Sequence, residues 1–309
     1  MANVTGDENL NIALFEELNC SPDLLIAGTH QLTFISVLNS FLSITALLGN
    51  ALILVALRKE SSLHPPSKLL LRSLTTTDLC VGVIAEPLYV TLVVTVVNED
   101  WSLCRYVAVA VSIASYIFCA VSLLTLTAIS VDRLLALLLG LRYKQIVTLK
   151  RVYFITITFY VVSTASSTTR FLFNSIVVSW YDIIGSSLCL ITSVFSYTKI
   201  FFTLRHHQHQ VQDHAQQPTQ PNQLNIARNR KAVSSALWLQ FMLVVCYLPH
   251  LILLTLLINA EPSLSVSLAW SYSSTLVYLN SSLNPILYCW KIDEVRQAVK
   301  DTIRQVLCC

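Results

Sequence analysis

The chain has 309 residues, of which 54% are hydrophobic and 12% are charged, and its formal net charge is +3. Soluble globular domains carry about 25% charged residues, so this composition excludes such a domain and indicates a membrane protein, for which we expect no nucleic-acid partner. Strands of a membrane barrel alternate apolar and polar residues over about ten positions. The apolar runs here are continuous, which predicts an all-α fold.

Seven apolar segments approach or exceed the ~20 residues that a helix needs to cross a bilayer. They span roughly 30–57, 67–96, 103–138, 150–172, 177–204, 228–258 and 265–289. We therefore predict a seven-helix transmembrane bundle at 30–289, with an N-terminal segment at 1–29 before it and a membrane-surface helix at 290–309 after it.

Positive charge is distributed unequally between the two membrane faces. Of the 20 Lys and Arg residues, only Arg105 and Arg170 fall on the face shared by the N-terminus and the even-numbered connections. Because Lys and Arg favour the cytoplasmic side, we expect a multi-pass plasma-membrane protein with an extracellular N-terminus. Glycosylation sequons at Asn3 and Asn19 agree with this orientation. The N-terminal segment lacks a signal-peptide pattern, so the first helix is expected to direct its own insertion.

The third segment carries Asp132 and Arg133 side by side near its far end. One ionised residue inside a membrane costs at least about 2.5 kcal/mol on insertion scales, so two together indicate a partner or a function. At helical spacing, Ser122 and Ser115 fall close to the azimuth of Arg133, which predicts a polar stripe along this helix. A buried Asp132–Arg133 pair is the alternative, although adjacent helical residues face each other poorly.

A second polar group is predicted in the middle of the membrane. Asp78 lies within the second segment, where a carboxylate is a functional-site candidate by default. Asn280 and Asn284 are four residues apart and share one face of the seventh segment. With Ser122 and Ser281 they predict an oxygen-rich cluster suited to a proton or a small hard cation, such as an allosteric sodium ion. No other cofactor is expected.

Five short motifs occur in five different segments. They are Gly49-Asn50, Leu74-x-x-x-Asp78, Asp132-Arg133, Cys246-Tyr-Leu-Pro249 and Asn284-Pro-x-x-Tyr288. Together they resemble the rhodopsin-like (class A) G-protein-coupled receptors over about Gln31 to Cys309. The resemblance implies a receptor rather than an enzyme, with an extracellular agonist, a heterotrimeric G protein at a cytoplasmic cleft, and arrestin and a receptor kinase as further partners.

The resemblance also implies roles for individual residues. It places the coupling and activation switch at Asp132, Arg133, Tyr197, Tyr247, Pro249, Asn284, Pro285 and Tyr288. It places the ligand pocket at Glu86, Ser112, Ser115, Tyr116, Cys119, Tyr247, His250, Trp270 and Tyr278. Ser115 stands where amine receptors carry an aspartate, and the seventh segment has no lysine for retinal. We therefore expect a peptide agonist, or a small non-amine or lipid ligand.

Acidic residues on the outer side leave the charge of that ligand open. Glu86 is costly to bury unless it is paired, protonated or hydrated. It serves either a basic ligand or a hydrogen bond to a neighbouring helix. Asp182 is one of several outer acidic residues that would steer a cationic peptide or form an ordinary solvated surface.

Three positions depart from the usual pattern of that family. Leu134 follows Asp132-Arg133 where a tyrosine is usual, and Tyr247 replaces the usual tryptophan. Asn229 replaces an acidic residue that many relatives pair with the arginine of the third helix. We therefore expect weak restraint of the resting state.

The cysteines depart from the family pattern as well. The second outer connection, about Asn174 to Ser179, is short and has no Cys, and the fifth segment lacks its usual proline. These features resemble the melanocortin, cannabinoid and lysophospholipid receptors, with melanocortin receptors nearest in pattern. The simplest disulfide then joins Cys20 to Cys104 in an oxidising compartment. Because the sequence carries no geometry, a bridge and two free thiols both stay open.

The last segment repeats apolar residues at helical spacing, namely Ile292, Val295, Val299, Ile303 and Val306. This pattern predicts an amphipathic helix in the membrane interface, followed by palmitoylation at Cys308 and Cys309. The inner connection at about 205–225 is rich in Gln, His and Pro and is expected to be a flexible linker.

A secondary transporter or channel with a mid-membrane cation site is the alternative function. A transporter would show internal repeats with broken helices at matching positions, and the sequence has no such repeat. An intramembrane hydrolase would need a nucleophile with a base, or a pair of metal ligands. Of the histidines within the predicted helices, His250 alone has a suitable position, so a receptor is favoured.

Overall fold

The computed structural model describes residues 18–59, 63–172, 176–214, 238, 241–257, 263–291 and 293–307. Over these residues the chain forms eight long helices in sequence. They are α1 Asp23–Lys59, α2 Pro65–Val97, α3 Trp101–Leu139, α4 Leu149–Leu172, α5 Ile176–His214, α6 Phe241–Leu257, α7 Leu264–Lys291 and α8 Asp293–Leu307. A short helical turn, Tyr143–Ile146, lies between α3 and α4. The predicted all-α fold is confirmed, with α1 to α7 as the seven-helix bundle.

The outer surface of the bundle matches a lipid environment. Four helical stretches are long and apolar enough to cross a bilayer by length and composition alone, namely Gly28–Lys59, Pro65–Val97, Trp101–Ile146 and Ser179–His206. In α4, hydroxyl side chains lower the hydropathy, but threonines among them bond within the helix, as Thr156 does to the carbonyl of Val152 at 2.9 Å. Internal hydrogen bonds of this kind satisfy polar groups where water is absent.

A π-helical turn interrupts α2 at Val81–Ala85, just before Pro87. In this turn the amide of Glu86 donates to the carbonyl five residues earlier. The carbonyl of Gly82 would therefore need an N–H from Pro87, which proline lacks. The hydroxyl of Ser43 in α1 donates to the Gly82 carbonyl instead, at 2.7 Å. Residue Ser43 thus replaces a backbone hydrogen bond that the sequence of α2 removes.

A second proline is compensated in the same way in α7. Pro285 lies inside the helix and cannot donate to the carbonyl of Ser281, four residues earlier. The side-chain amide of Asn50 in α1 donates to that carbonyl at 3.0 Å. Gly49 permits the approach, because a Cβ atom there would lie 2.9 Å from the Pro285 Cγ atom. The Gly49-Asn50 pair is therefore a packing element for α7.

Helix α3 runs through the centre of the bundle and packs against α2, α4 and α5, while α1 packs against α2, α7 and α8. Two groups of buried apolar residues fill the interior. One includes Leu57, Leu74 and Leu126, and the other includes Ile35 and Val111. Buried hydroxyl and amide side chains lie among these apolar groups, and they form the sites described below.

The segment ahead of α1 is tied to the bundle. Cys20 and Cys104 form a disulfide with a Cα–Cα distance of 6.1 Å, which joins this segment to the first turn of α3. Helix α1 begins at Asp23, so the predicted boundary between residues 29 and 30 is wrong. The helix starts earlier because Leu24 is buried against the outer ends of other helices.

Helix α5 also exceeds its predicted length. It continues to His214, into the connection that was expected to be a flexible linker from about residue 205. That part of the prediction is wrong, because no Pro or Gly lies between Arg205 and Pro218 to end the helix. The rest of the linker, together with Asn229, lies outside the described residues.

Helix α8 packs its apolar side against α1. Val295, Ala298, Val299 and Thr302 are buried, at the spacing of one helical face. Ile303 is 40% exposed, whereas Thr302 beside it is buried. The predicted apolar stripe is therefore wrong by about one residue at this position, and Ile303 faces the lipid interface. The predicted lipidation sites, Cys308 and Cys309, lie outside the described residues.

The close approach of α1 and α2 at Gly82 makes a stability prediction. In Gly82→Ala the added Cβ would lie 2.8 Å from the Ala46 Cβ atom and 3.0 Å from a backbone nitrogen. Overpacking of this kind costs about 1–3 kcal/mol, so we expect a lower melting temperature for the purified protein. Gly185→Ala is the matched control, because nothing lies within 4 Å of its added Cβ. Equal melting temperatures for both variants would contradict the packing described.

Candidate functional site

A cavity of about 170 Å³ lies between the outer halves of α3 to α7. All the predicted pocket residues except Glu86 line it, namely Ser112, Ser115, Tyr116, Cys119, Tyr247, His250, Trp270 and Tyr278. The sequence did not predict the other lining residues, among which Asn19, Tyr89, Arg170 and Asp182 are polar, charged or aromatic. The cavity therefore joins most of the expected pocket to a charged wall that was not expected.

Glu86 lies outside this cavity lining, so its placement in the pocket was wrong. Its side chain is fully buried, and neither carboxylate oxygen has a hydrogen-bond partner within the described part of the chain. The π turn explains the difference, because one extra residue rotates the following helix by about 100°. Tyr89 consequently lines the cavity from α2.

The charged wall consists of three side chains from three helices. Arg170 at the end of α4 forms an ion pair with Asp182 in α5, and Asp182 also accepts a hydrogen bond from the Tyr116 hydroxyl in α3. The Arg170 guanidinium lies 5.2 Å from the centre of the Tyr116 ring, within cation–π range. Asp182 is only 8% exposed, so its interpretation as solvated surface was wrong.

A sequence signal for the Arg170–Asp182 pair did exist. Helices α4 and α5 are separated by only residues 173–175. Helices joined by so short a connection run antiparallel, which places residues equally far from the connection side by side. Arg170 and Asp182 lie three and seven residues from it, and their long side chains cover the remaining offset.

Polar contacts also join the other helices around the cavity. Ser115 in α3 and Tyr278 in α7 share a hydrogen bond of 2.6 Å. The His250 ring in α6 lies 4.5 Å from the Trp270 ring in α7, and its Nδ1 atom lies 3.1 Å from the Ser273 hydroxyl. The helices that line the cavity are thus linked in pairs through side chains that a ligand would meet.

The segment ahead of α1 contributes to the wall as well. Asn19 lines the cavity and is only 6% exposed, and the adjacent Cys20 holds it in place through the disulfide to Cys104. Burial leaves no space for a glycan on Asn19, so that glycosylation prediction was wrong. The other sequon, at Asn3, lies outside the described residues.

Asp78 lies fully buried between α2, α3 and α7. Its carboxylate accepts hydrogen bonds from Ser122 at 3.0 Å, Ser281 at 2.9 Å and Asn284 at 2.7 Å. Asn280 does not join them, because its side-chain nitrogen has no hydrogen-bond partner among the described residues, and that part of the predicted cluster is wrong. On a helix, Asn284 lies between Asn280 and Ser281 in azimuth, so Asp78 faces the side of α7 away from Asn280.

At the end of α3 away from the cavity, Asp132 is the centre of a second hydrogen-bond network. It is 4% exposed and pairs with Arg133 at 2.5 Å. It also accepts hydrogen bonds from Ser67 at 2.9 Å and Tyr143 at 2.5 Å, and Arg133 donates to Ser67. The expectation that adjacent helical residues would not pair was wrong, because the long Arg133 side chain folds back over Asp132.

The remaining predicted switch residues are mostly buried aromatic groups. Tyr197 in α5 and Tyr288 in α7 are 7% and 4% exposed. Within the part of the chain that the structure describes, the Tyr288 hydroxyl has no hydrogen-bond partner. Tyr247 donates to the carbonyl of Cys119 at 3.4 Å. Pro249 lies within α6, two residues beyond Tyr247 and half-buried.

Comparison with known proteins agrees with this arrangement. Residues 49–288 match the family model described as 7 transmembrane receptor (rhodopsin family). The chain belongs to this family. The receptor is similar to melanocortin receptor 5 of Rattus norvegicus, with 24% identity over 287 residues, and to that of Homo sapiens, with 25% identity over 280 residues. Each comparison covers 87% of this chain and 82% of the relative.

Family membership decides between the functions that the sequence left open. The receptor is a multi-pass membrane protein and not an enzyme, and the transporter or channel alternative is set aside. Agonist binding and coupling to a G protein follow from the family. The rhodopsin-like resemblance is confirmed, and melanocortin receptors, which the sequence pattern resembles, are among the similar proteins.

The Asp132 network makes a second stability prediction. Tyr143→Phe removes one donor from a buried carboxylate, and hydrogen bonds to charged groups contribute about 1.5–3 kcal/mol. We expect a lower melting temperature for the purified receptor. Tyr153→Phe is the control, because Tyr153 is 54% exposed on α4. If Tyr143→Phe and Tyr153→Phe both melt like the wild type, the Tyr143 bond does not stabilise the fold.

Proposed function

We propose that this receptor binds its agonist in the outer cavity and transmits the signal along α3 and α7 to a heterotrimeric G protein at the cytoplasmic side of the plasma membrane. One observation carries the proposal. The Ser115–Tyr278 bond joins α3 to α7 in the cavity, and Ser122 and Ser281 join the same two helices to Asp78. A ligand that separates Ser115 from Tyr278 therefore acts directly on the helices that hold the buried carboxylate.

In the resting receptor, the Asp78 cluster holds a sodium ion. Its oxygen atoms come from the carboxylate of Asp78 and the hydroxyls of Ser122 and Ser281, and hard cations prefer oxygen ligands. The amide nitrogen of Asn284 holds the carboxylate in position. The ion balances a negative charge that would otherwise be costly inside the membrane. Because the three helices meet at this point, the ligands are complete only in one arrangement of α2, α3 and α7.

On the cytoplasmic side, Arg133 makes the contact with the G protein. Its side chain is 49% exposed even while it is paired with Asp132, so it already faces the region where a partner would insert. Tyr288 supports this role, because its buried hydroxyl has no partner in the arrangement described and gains one if the helix end moves inward. Arrestin and a receptor kinase act on the same face.

The agonist is a peptide that places one end group in the cavity, or a small non-amine or lipid ligand that fills it. The size of the cavity, about 170 Å³, supports a group no larger than a few side chains. The relatives are named for melanocortin, but their identity of 24% to 25% does not carry the ligand to this receptor. Ser115 in place of an aspartate disfavours an amine.

A sodium experiment checks the buried cluster. For the purified receptor, we expect a higher melting temperature in sodium chloride than in choline chloride at equal ionic strength, because a bound ligand stabilises the folded state. Asp78→Asn should remove this difference. Asp301→Asn, at an exposed position in α8, should keep it. A sodium effect of equal size in wild type and Asp78→Asn would refute the assignment.

A basal-signalling experiment tests the proposed function itself. Asn229 offers Arg133 no charged partner, and the loss of one contact of ~1–3 kcal/mol raises a minor active population roughly five-fold or more. We expect the receptor in lipid nanodiscs to accelerate GTP exchange on a heterotrimeric G protein without agonist. Arg133→Ala should abolish this activity, and Asn229→Glu should reduce it. Exchange no faster than with empty nanodiscs, across the G-protein classes, would refute the proposal.

A further inference from the structure

The outer cavity has an asymmetric charge. Among its described lining residues, Arg170 alone carries a permanent positive charge and Asp182 is the only carboxylate. The two are paired, but they are not equally accessible, because the Arg170 side chain is 24% exposed and that of Asp182 is 8% exposed. The cation is therefore the partner that a ligand meets.

The hydrogen bonds of the pair also favour Arg170 as the residue that binds a ligand. Each carboxylate oxygen of Asp182 already accepts a hydrogen bond, one from Tyr116 and one from Arg170. A guanidinium has five N–H donors, and among the residues that the structure describes the buried Nε donor of Arg170 has no acceptor. A buried donor that lacks an acceptor is unfavourable. What the charged wall lacks is an acceptor, and a carboxylate supplies two in the planar geometry that a guanidinium prefers.

The rest of the cavity selects the body of the ligand. Apolar and aromatic side chains such as Trp270, Leu254 and Val277 line it opposite the charged wall. The hydroxyls of Ser112 and Ser186 also face it, and they are neutral. A ligand ammonium would find only the engaged and largely buried Asp182, whereas an apolar or aromatic carboxylic acid matches both parts of the wall.

We propose that the agonist presents a carboxylate, next to an apolar or aromatic group, to Arg170. This inference rests on the proposed agonist function of the same cavity. The carboxylate belongs either to a small organic acid or to the C-terminus of a peptide, and the chemistry at Arg170 is the same for both. Arg170 was not among the pocket residues that the family resemblance implied, so the proposal adds a binding residue.

A carboxylate bound to Arg170 would also change the contacts between neighbouring helices. Arg170 joins α4 to α5 through Asp182, and Tyr116 joins α5 to α3. A ligand carboxylate competes with Asp182 for the guanidinium, so binding weakens the tie between α4 and α5 and leaves the tie between α5 and α3. Removing the competitor should accordingly strengthen binding.

Three matched probes of one skeleton test the charge preference: 4-phenylbutyrate, 4-phenylbutanol and 4-phenylbutylamine. Each is added to the purified full-length receptor in nanodiscs, and the melting temperature is recorded as a function of concentration. We expect a saturable rise with the carboxylate and none with the amine, since only a ligand of the folded state stabilises it.

Two variants connect that rise to Arg170. Arg170→Gln should remove it, and Arg105→Gln is the control, because Arg105 is exposed and lies outside the cavity lining. Asp182→Asn should lower the concentration of 4-phenylbutyrate needed for half-maximal effect by about tenfold, the change that 1.4 kcal/mol produces. A purely structural role for the pair would instead weaken binding in both variants. If Arg170→Gln does not fold, the Asp182→Asn result alone decides.

A peptide pair distinguishes the two sources of the carboxylate. Acetyl-Gly-Phe with a free C-terminus should raise the melting temperature if the ligand is a peptide end, and its C-terminal amide should not. A response to either acid supports the inference. It is overturned if the amine or the amide works as well as the acid, if the response survives in Arg170→Gln, if Asp182→Asn weakens binding, or if neither acid has an effect.

The binding readout is independent of signalling. GTP exchange measured in the same nanodiscs tests the proposed function, whereas melting without a G protein tests the carboxylate site. An acid that binds through Arg170 but leaves exchange unchanged supports the site and speaks against the cavity as the agonist pocket. Exchange that persists with no binding of either acid retains the receptor function and rejects the carboxylate.

Discussion

A carboxylate without access to water governs the centre of this receptor. Asp78 is fully buried, and a charge there is tolerated only with partners. Two hydroxyls and one amide from α3 and α7 provide them, at 2.7 to 3.0 Å. Because hydrogen bonds weaken steeply with distance and angle, α2, α3 and α7 are held in one relative position. The cavity above and the Asp132 network below are built on those same helices.

Helix α1 donates side-chain hydrogen bonds to backbone carbonyls of its neighbours α2 and α7. Pro87 and Pro285 each remove an N–H from a membrane helix, where an unpaired carbonyl costs several kcal/mol. Ser43 and Asn50, seven residues apart on α1, donate to the two carbonyls left open. The helix therefore supplies hydrogen bonds that α2 and α7 lack. This explains why small residues, such as Gly82, occur at its contacts.

The sequence was sufficient wherever a motif lies within one helix. The helix count and the family followed from apolar lengths and short motifs, because lipid makes these signals strong. The family resemblance placed eight of the nine expected pocket residues correctly in the cavity lining. The sequence-based predictions failed where a contact depends on the rotation of a helix about its axis or on which helices are neighbours. The π turn moved Glu86 out of the cavity lining. Tyr143 lies in the connection between α3 and α4 and contacts Asp132 in α3. Arg170 and Asp182 lie on opposite sides of the connection between α4 and α5.

The disulfide from Cys20 to Cys104 holds the segment ahead of α1 at the cavity, away from the Asp78 cluster and the Asp132 network. The cavity is bordered by residues ahead of α1, such as Asn19, whereas the connection between α4 and α5 spans only residues 173–175. Substitutions at Asn19 would change this border of the cavity without touching the buried carboxylates of Asp78 and Asp132. One border of the cavity can therefore change within this short segment while the helices that hold Asp78 and Asp132 keep their sequence.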